Sequence, residues 1–173
     1  MATTPTYGFH YPAQTDPPNG AAQIQQLATD VEAKFVTNDA LIAQHIPQFF
    51  EAATSADTIL TTSTADLTGG TLTFSTTVTN AIAIVDVMWD LRIFITGTGY
   101  CYGEVAVDGV TDSRKSLFVA QTAETRFSGY FRKKYVLASA GSHTIKLQGH
   151  KDSSGGTGLF CGGTTVLSVS LYQ

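Results

Sequence analysis

The sequence predicts a mainly β fold in which an N-terminal extended arm and an α-helix precede a jelly-roll β-sandwich of about eight strands. Three observations carry this prediction. Prolines interrupt the first 18 residues, residues 21–45 contain neither proline nor glycine, and the remaining chain is rich in Thr, Val, Ile and aromatic residues divided by Gly, Asn, Asp and Ser. We therefore expect an arm over 1–19, a trimerisation helix over 20–46 and a β-sandwich head over 47–173.

The first segment combines prolines with aromatic residues. Proline fixes its own backbone angle and biases the preceding residue away from helix, so residues 1–18 are expected to be extended. The segment has neither the basic start nor the apolar stretch of a secretory signal. Aromatic rings gain most when they are buried, which an isolated extended segment cannot provide. We expect the arm to dock on another protein through six residues: Tyr7, Phe9, Tyr11, Pro12, Pro17 and Pro18.

The next segment has the composition of a helix. Asn19 and Gly20 offer an N-cap, and Pro47 stops the pattern after about His45. Alternating steps of four and three residues trace a mainly apolar stripe, formed by Ile24, Ala28, Val31, Phe35, Asn38, Ile42 and His45. This spacing is close to the 3.5-residue repeat of a coiled coil and predicts a trimer interface.

Two features qualify the helix prediction. Asn38 and His45 are polar positions in the stripe, and such residues commonly fix register or strand number in a coiled coil. Leu27 and Leu41 lie just beside the stripe and widen it enough for the alternative, a single amphipathic helix that packs on its own domain. Self-association is the favoured interpretation.

The clearest strand covers 81–95, where every odd-numbered residue is apolar or alanine. Its even-numbered face carries Asp86, Asp90 and Arg92. That face also holds four apolar residues, which a solvated strand would not need, namely Ile82, Ile84, Met88 and Phe94. We expect part of this second face to be buried against another chain.

Further strands are predicted at 57–62, 71–79, 100–107, 115–121, 126–137, 143–149 and 164–172. Asp108 and Gly109 form a hairpin turn signal. The glycine-rich stretch 97–103 is expected to be a turn rather than a phosphate-binding loop, because no helix follows it. The stretch 153–158 is expected to be a flexible loop.

Composition excludes several classes of function. The net charge is −4, the pI is about 5.4 and 14% of the residues are charged, so nucleic acid is not an expected partner. The most apolar run is interrupted by charged residues, so no membrane insertion is expected. Cys101 and Cys161 are expected to be buried small residues, with a single disulfide left as an alternative.

No catalytic constellation is found, and we expect neither enzymatic activity nor a cofactor. Asp86 and Asp90 would lie about 13 Å apart on one strand face, too far for glycosidase chemistry, and are expected to form an outward polar patch. No G-x-S-x-G or phosphate-loop motif occurs. Histidines lack ligand spacing, although three copies of His45 could meet on a trimer axis. The basic cluster of Arg126, Arg132, Lys133 and Lys134 is expected to be a solvated sheet edge.

Two stretches resemble a known class of proteins. Residues 4–35 contain Tyr7-Gly8, Tyr11-Pro12, Asp16-Pro17-Pro18-Asn19 and Leu27-Ala28 with Val31-Glu32, and this arrangement resembles the N-terminal segment of tail-fibre and minor-tail-type virion proteins of bacteriophages that infect actinobacteria. Residues 137–151 resemble the AGxHTxxLQ strand in the sandwich heads of the same class. The resemblance implies a trimer with heads similar to those of tumour necrosis factor or the adenovirus knob.

The expected function is that of a homotrimeric, non-enzymatic phage virion protein, assembled in the host cytoplasm. Its arm would bind another virion protein, and its head would bind a host-surface glycan or protein through Tyr100, Tyr102 and Tyr130. A capsid decoration protein that stabilises the phage head is the alternative. A cell-wall polysaccharide-degrading enzyme with a site between subunits is a third hypothesis.

Overall fold

A computed structural model describes residues 2–3, 10–11, 20–94, 99–120, 125–152 and 157–173. The chain divides into two compact units, Met1–Ile46 and Pro47–Gln173. Among the described residues, no helix combines the length and apolar character that a membrane crossing requires.

The first unit contains strands β1 (Ala2–Thr3) and β2 (His10–Tyr11) and helix α1 (Gly20–His45). The two short strands pair antiparallel, with Ala2 opposite Tyr11, and β2 contacts the helix. The described parts of the arm are therefore short strands that pair with each other, and the docking arm over 1–19 stays a prediction. The helix begins at the predicted residue and ends at His45, one residue before the predicted bound of 46. Pro47 cannot continue it because proline lacks the backbone N–H and clashes with the preceding turn.

All helix or strand elements among the described residues of the second unit are strands. They are β3 (Gln48–Ala53), β4 (Thr58–Ile59), β5 (Ala65–Thr76), β6 (Ala81–Phe94), β7 (Gly99–Val107), β8 (Val110–Thr111), β9 (Ser116–Ala120), β10 (Thr125–Leu137), β11 (Gly141–Lys151), β12 (Thr157–Phe160) and β13 (Val166–Tyr172).

Two sheets form the sandwich. The first sheet has the order β3-β13-β6-β10, and β12 and β4 extend it beside the second half of β6. The second sheet has the order β5-β11-β7-β9, with β8 pairing the other half of β7. When the short strands β4, β8 and β12 are left out, the main strands of the second unit can be numbered 1 to 8 in chain order, as β3, β5, β6, β7, β9, β10, β11 and β13. In these numbers the first sheet has the order 1-8-3-6 and the second sheet has the order 2-7-4-5. This is the strand order of a jelly roll.

The core lies between the two sheets and is centred on Trp89. The odd-numbered residues of β6 are all buried, as the alternation predicted. The Trp89 ring packs against Phe160 with 5.1 Å between ring centroids, and Phe160 in turn meets Phe118. Gly103 on the opposite sheet leaves room for the indole, because a Cβ there would lie 3.0 Å from its six-membered ring.

The hairpin turn at Asp108 and Gly109 is confirmed. Their φ angles are +50° and +81°, and Val107 pairs with Val110 across them. Positive φ at both central residues is the type I′ geometry that suits the twist of a β-hairpin.

Several predicted boundaries were wrong. The strand expected at 57–62 is only Thr58–Ile59, and β3 was not predicted. The strand predicted at 100–107 is confirmed as β7 (Gly99–Val107), whereas the overlapping expectation of a turn over 97–103 was wrong for residues 99–103. Residues 157–158 of the expected loop begin β12, while 153–156 lie outside the described residues. Glycine and serine lowered the strand signal at both places, yet pairing with β9, β11 and β6 stabilises them as strands.

Candidate interaction surfaces

The predicted stripe of α1 is exposed. Ile24 is 70% exposed, Phe35 65% and Ile42 58%, whereas Val31 is half-buried. Full burial of one such side chain is favourable by about 1.5–3 kcal/mol, so burial of the stripe against another surface would be strongly favourable. The side chain of His45 lies outside the described residues, and the meeting of three His45 copies on a trimer axis stays a prediction. The stripe as a trimer interface remains a prediction.

The outer face of the first sheet carries exposed apolar side chains among polar ones. Residues directly opposite each other in an antiparallel ladder share a face. One row across the sheet runs Lys134, Ile84, Ser170 and Phe49, and the next row towards the end of β13 runs Val136, Ile82 and Tyr172. Phe49 is 75% exposed, and Val136 and Tyr172 are also exposed.

The same face carries Tyr130 and Met88, which lie opposite each other in the register. Met88 is 62% exposed. On the even-numbered face of β6, Ile82 and Ile84 are half-buried and Met88 is exposed in the single chain. Burial of this face against another chain stays a prediction. The side chain of Phe94 lies outside the described residues.

The two carboxylates on this face are paired with basic residues of β10. The Tyr130 hydroxyl donates a hydrogen bond to Asp86, and Arg132 Nε lies 3.6 Å from Asp86 Oδ1. Arg126 donates two hydrogen bonds to Asp90, and these hold the pKa of that carboxyl below its usual range although burial opposes them. Asp90 is buried, which corrects the expectation that it belongs to an outward polar patch.

Three residues of the basic cluster predicted on β10 pair with three different carboxylates. Lys133 points to the interior side and pairs with the buried Asp112, while Lys134 is exposed on the outer face. Burial alone would raise the pKa of Asp112, but hydrogen bonds from Lys133, Tyr135 and the Arg114 N–H outweigh it and lower that pKa. Because Asp112 follows β8 and Lys133 lies in β10, this pair joins the two sheets.

A groove of about 920 Å³ opens between β9 and β10. In the described part of the chain, β9 pairs only with β7 and β10 only with β6, so each offers a free strand edge on this side. The rim carries Arg114, Lys115 and Arg132, and Tyr130 and Leu117 are exposed beside them. A free strand edge can accept an extended peptide as an added strand.

A buried carboxylate lies on the outer side of the second sheet. Glu104 is 1% exposed and has Lys115 Nζ at 2.5 Å from Oε1, while Oε2 accepts a hydrogen bond from the Thr64 hydroxyl at 3.2 Å. His150 Nδ1 lies 3.4 Å from Oε2, and its ring stacks on Tyr102 at 4.6 Å. A buried carboxylate is costly unless it is paired, and here Lys115, Thr64 and His150 surround it.

The predicted receptor-contact tyrosines are not brought together. Tyr100 and Tyr102 lie on β7 in the second sheet, where Tyr100 is exposed and Tyr102 is half-buried against His150. Tyr130 lies on β10 in the first sheet. The three residues therefore do not form one surface in a single chain.

Both cysteines are free and buried, as the simpler interpretation predicted. Burial raises the pKa of Cys101 to about 11 and also raises the pKa of Cys161. No group of three or more His, Cys, Asp or Glu within the described ranges is placed to hold a metal ion. Of the docking residues, Tyr7, Phe9, Pro12, Pro17 and Pro18 lie outside the described residues, and only the backbone of Tyr11 lies within them.

Glu104, Asp112 and the groove were not predicted from the sequence. Glu104 had a local signal, since it is a charged residue inside the apolar strand that ends in Val105-Ala106-Val107. The groove had none, because it forms where the edges of two different sheets meet.

No family model matches the sequence, and no curated protein matches it. Solved structures that resemble it include dimeric latent PorU from Porphyromonas gingivalis, with a TM-score of 0.46, 7% identity, and coverage of 75% of this chain and 13% of that chain. A chain of the infectious bursal disease virus Gx strain has a TM-score of 0.42 and 10% identity, with 73% and 32% covered. The CBM36-1 domain of a xylanase from the hindgut metagenome of Trinervitermes trinervoides has a TM-score of 0.34 and 13% identity, with 70% and 96% covered.

This chain thus spans well under two thirds of the first two structures. Similarities at such low identities and TM-scores do not indicate a function. The strand order itself identifies the fold as a jelly roll.

Proposed function

We propose that the protein is a non-enzymatic virion protein of a bacteriophage, a homotrimeric fibre or spike whose N-terminal arm is anchored to the particle and whose β-sandwich head faces outward. The observation that carries the proposal is the exposed stripe of α1. Its heptad spacing and the exposure of Ile24, Phe35 and Ile42 suit burial between copies of the same helix.

The arm supplies the attachment in this proposal. Proline restricts the unbound arm, so ordering it on a partner costs less conformational entropy than ordering a flexible segment. Three arms gathered by one helix bundle raise each other's effective concentration at the particle. Modest affinity of a single arm then gives durable attachment.

The oligomeric part is tested by light scattering on the full chain. We expect a mass near three times 18.4 kDa. Phe35→Glu should shift the mass towards one chain, because Phe35 lies in the stripe. Val36→Glu is the matched control, since Val36 is 66% exposed but lies outside the stripe. A monomeric wild type, or equal effects of the two variants, would overturn the helix interface.

The attachment part is tested on particles. Deletion of residues 1–18 should leave a folded trimer that no longer incorporates into particles, and normal incorporation would contradict the proposal. Particles without the protein should fail to adsorb to the host. Retained adsorption with lower particle stability would instead support a capsid decoration protein.

Host-surface binding is proposed for the groove between β9 and β10, with Tyr130 as the contact residue. Tyr130 is exposed at its rim beside Arg132. Tyr130→Ala should reduce binding of the purified protein to host cells, whereas Tyr100→Ala on the other sheet should not. An equal loss for both variants would place the binding elsewhere.

A further inference from the structure

We infer that the α1 helices associate in parallel and in register, with an ion pair between Lys34 of one chain and Asp39 of a second copy. The inference rests on the oligomer proposed above and specifies its geometry. Both residues are exposed in α1.

The heptad positions follow from the spacing of the stripe. Steps of three lead from an a to a d position, so Ala28, Phe35 and Ile42 occupy a and Ile24, Val31 and Asn38 occupy d. Lys34 then precedes an a residue and occupies g, whereas Asp39 follows a d residue and occupies e. These two positions flank the seam.

Parallel, in-register helices bring each g residue against the e residue five positions later on the neighbouring chain. Lys34 and Asp39 are separated by five positions and carry opposite charges. Within one helix, residues five apart are separated by about 140° around the axis at 3.6 residues per turn and do not face each other. The pair can therefore form only between chains.

An antiparallel pair of the same helices would bring like charges together. In the antiparallel register that places Ala28 opposite Asn38 of the second copy, Lys34 lies near Lys34 of that copy and Glu32 near its Glu32. Like charges at these positions destabilise the assembly. The charges thus select the orientation as well as the partner.

The d positions favour three strands over two. Parallel dimers prefer Leu at d, whereas β-branched residues at d shift the preference towards trimers and tetramers. Here d is occupied by Ile24 and Val31 in the first two layers. A parallel trimer places the three arms at one end of the bundle and the three chain exits to the β units at the other.

Charge reversal in the full-length protein tests the ion pair. Lys34→Glu and Asp39→Lys should each raise the concentration at half-dissociation roughly tenfold, measured by sedimentation, and high salt should reduce that difference. The chain carrying both substitutions should return to within about threefold of wild type. Ala33→Glu, on the face opposite the seam, is the control and should change little.

Cysteine cross-linking tests the orientation. Ala28→Cys alone should form a disulfide between copies, because parallel helices bring residue 28 against residue 28; the native Cys101 and Cys161 are buried and do not interfere. Cross-linking only when Ala28→Cys and Asn38→Cys chains are mixed would show an antiparallel assembly and overturn the inference while leaving the oligomer intact. If neither charge reversal weakens the oligomer, the ion pair is likewise overturned while the oligomer itself stands. A wild type that is monomeric at every concentration would instead overturn the proposed function.

Discussion

The Nδ1 atom of His143 lies 2.7 Å from Oδ2 of Asp108, and this contact joins β11 to the turn between β7 and β8. Asp108 Oδ1 also accepts a hydrogen bond from the Thr144 N–H at 2.8 Å, and His143 Nε2 lies 3.0 Å from the Ser139 carbonyl oxygen. Both ring nitrogens therefore face oxygen atoms, and the protonated imidazole is favoured. The hydrogen bond to Asp108 raises the pKa of His143 although burial opposes it.

Stability should depend on pH through this pair. The raised pKa of His143 means that its contribution is complete below its unfolded pKa of about 6.5 and is lost as pH rises through the folded value. Burial would raise the pKa of Asp108, but its hydrogen bonds lower it, so its contribution is present above about pH 3.9 and lost as pH falls further. His143→Gln should cost about 1–2 kcal/mol near pH 6 and flatten the decline of stability above it, as measured by urea unfolding.

Asp108→Asn serves as the partner control, because asparagine tolerates the positive φ at this position. It should remove the same pH dependence. An unchanged pH profile in both variants would assign the dependence to other groups.

The buried Glu104 should contribute to stability through its charge. Glu104→Gln removes the ion pair with Lys115 and weakens the contact with His150, and should cost about 1–3 kcal/mol in the free energy of unfolding. Glu51→Gln, which changes an exposed carboxylate on β3, should cost little. Equal effects of the two substitutions would contradict the role of burial.

Gly103→Ala should strain the core. Its Cβ would lie 3.0 Å from the ring of Trp89, and overpacking of this kind costs about 1–3 kcal/mol. Trp89 is the single tryptophan, so its fluorescence reports the displacement directly. Ser128→Ala on the exposed face of β10 is the control, and an unchanged emission in Gly103→Ala would show that Trp89 is not displaced and would contradict the predicted overpacking.

The native thiols should be unreactive. The pKa of Cys101 is about 11 and both sulfurs are buried, so thiolate is scarce at pH 8. A thiol reagent should titrate two groups after denaturation and none within minutes in the native protein. Absence of free thiols after denaturation would show a disulfide instead.

Phe49 should contribute to contacts between copies of the head. Phe49→Glu is expected to raise the concentration at half-dissociation by about tenfold, because a 75%-exposed ring on the outer face of the first sheet would be replaced by a charge. Val110→Glu, at a 73%-exposed residue of the second sheet, should have no such effect. Equal behaviour of both variants would remove the first sheet from the interface.

Local pattern predicted what local interactions determine. The bounds of α1, the alternation in β6 and the turn at Asp108 all follow from neighbouring residues. The contacts of Glu104 with Thr64, Lys115 and His150 could not be predicted, because these residues come from separate parts of the chain. The placement of Tyr100 and Tyr130 in different sheets could not be predicted either, because the sheet that a strand joins depends on pairing with distant strands.

The pairing of β3 determines how the β unit responds to a pull on its N-terminal side. Gln48 lies opposite Leu171 and Ala53 opposite Val166, so β3 is held along its whole length by β13. A force along the strand axis at Gln48 would load all these hydrogen bonds together, in shear, rather than peel them one by one. The β unit would therefore resist mechanical extension best when the force runs along β3.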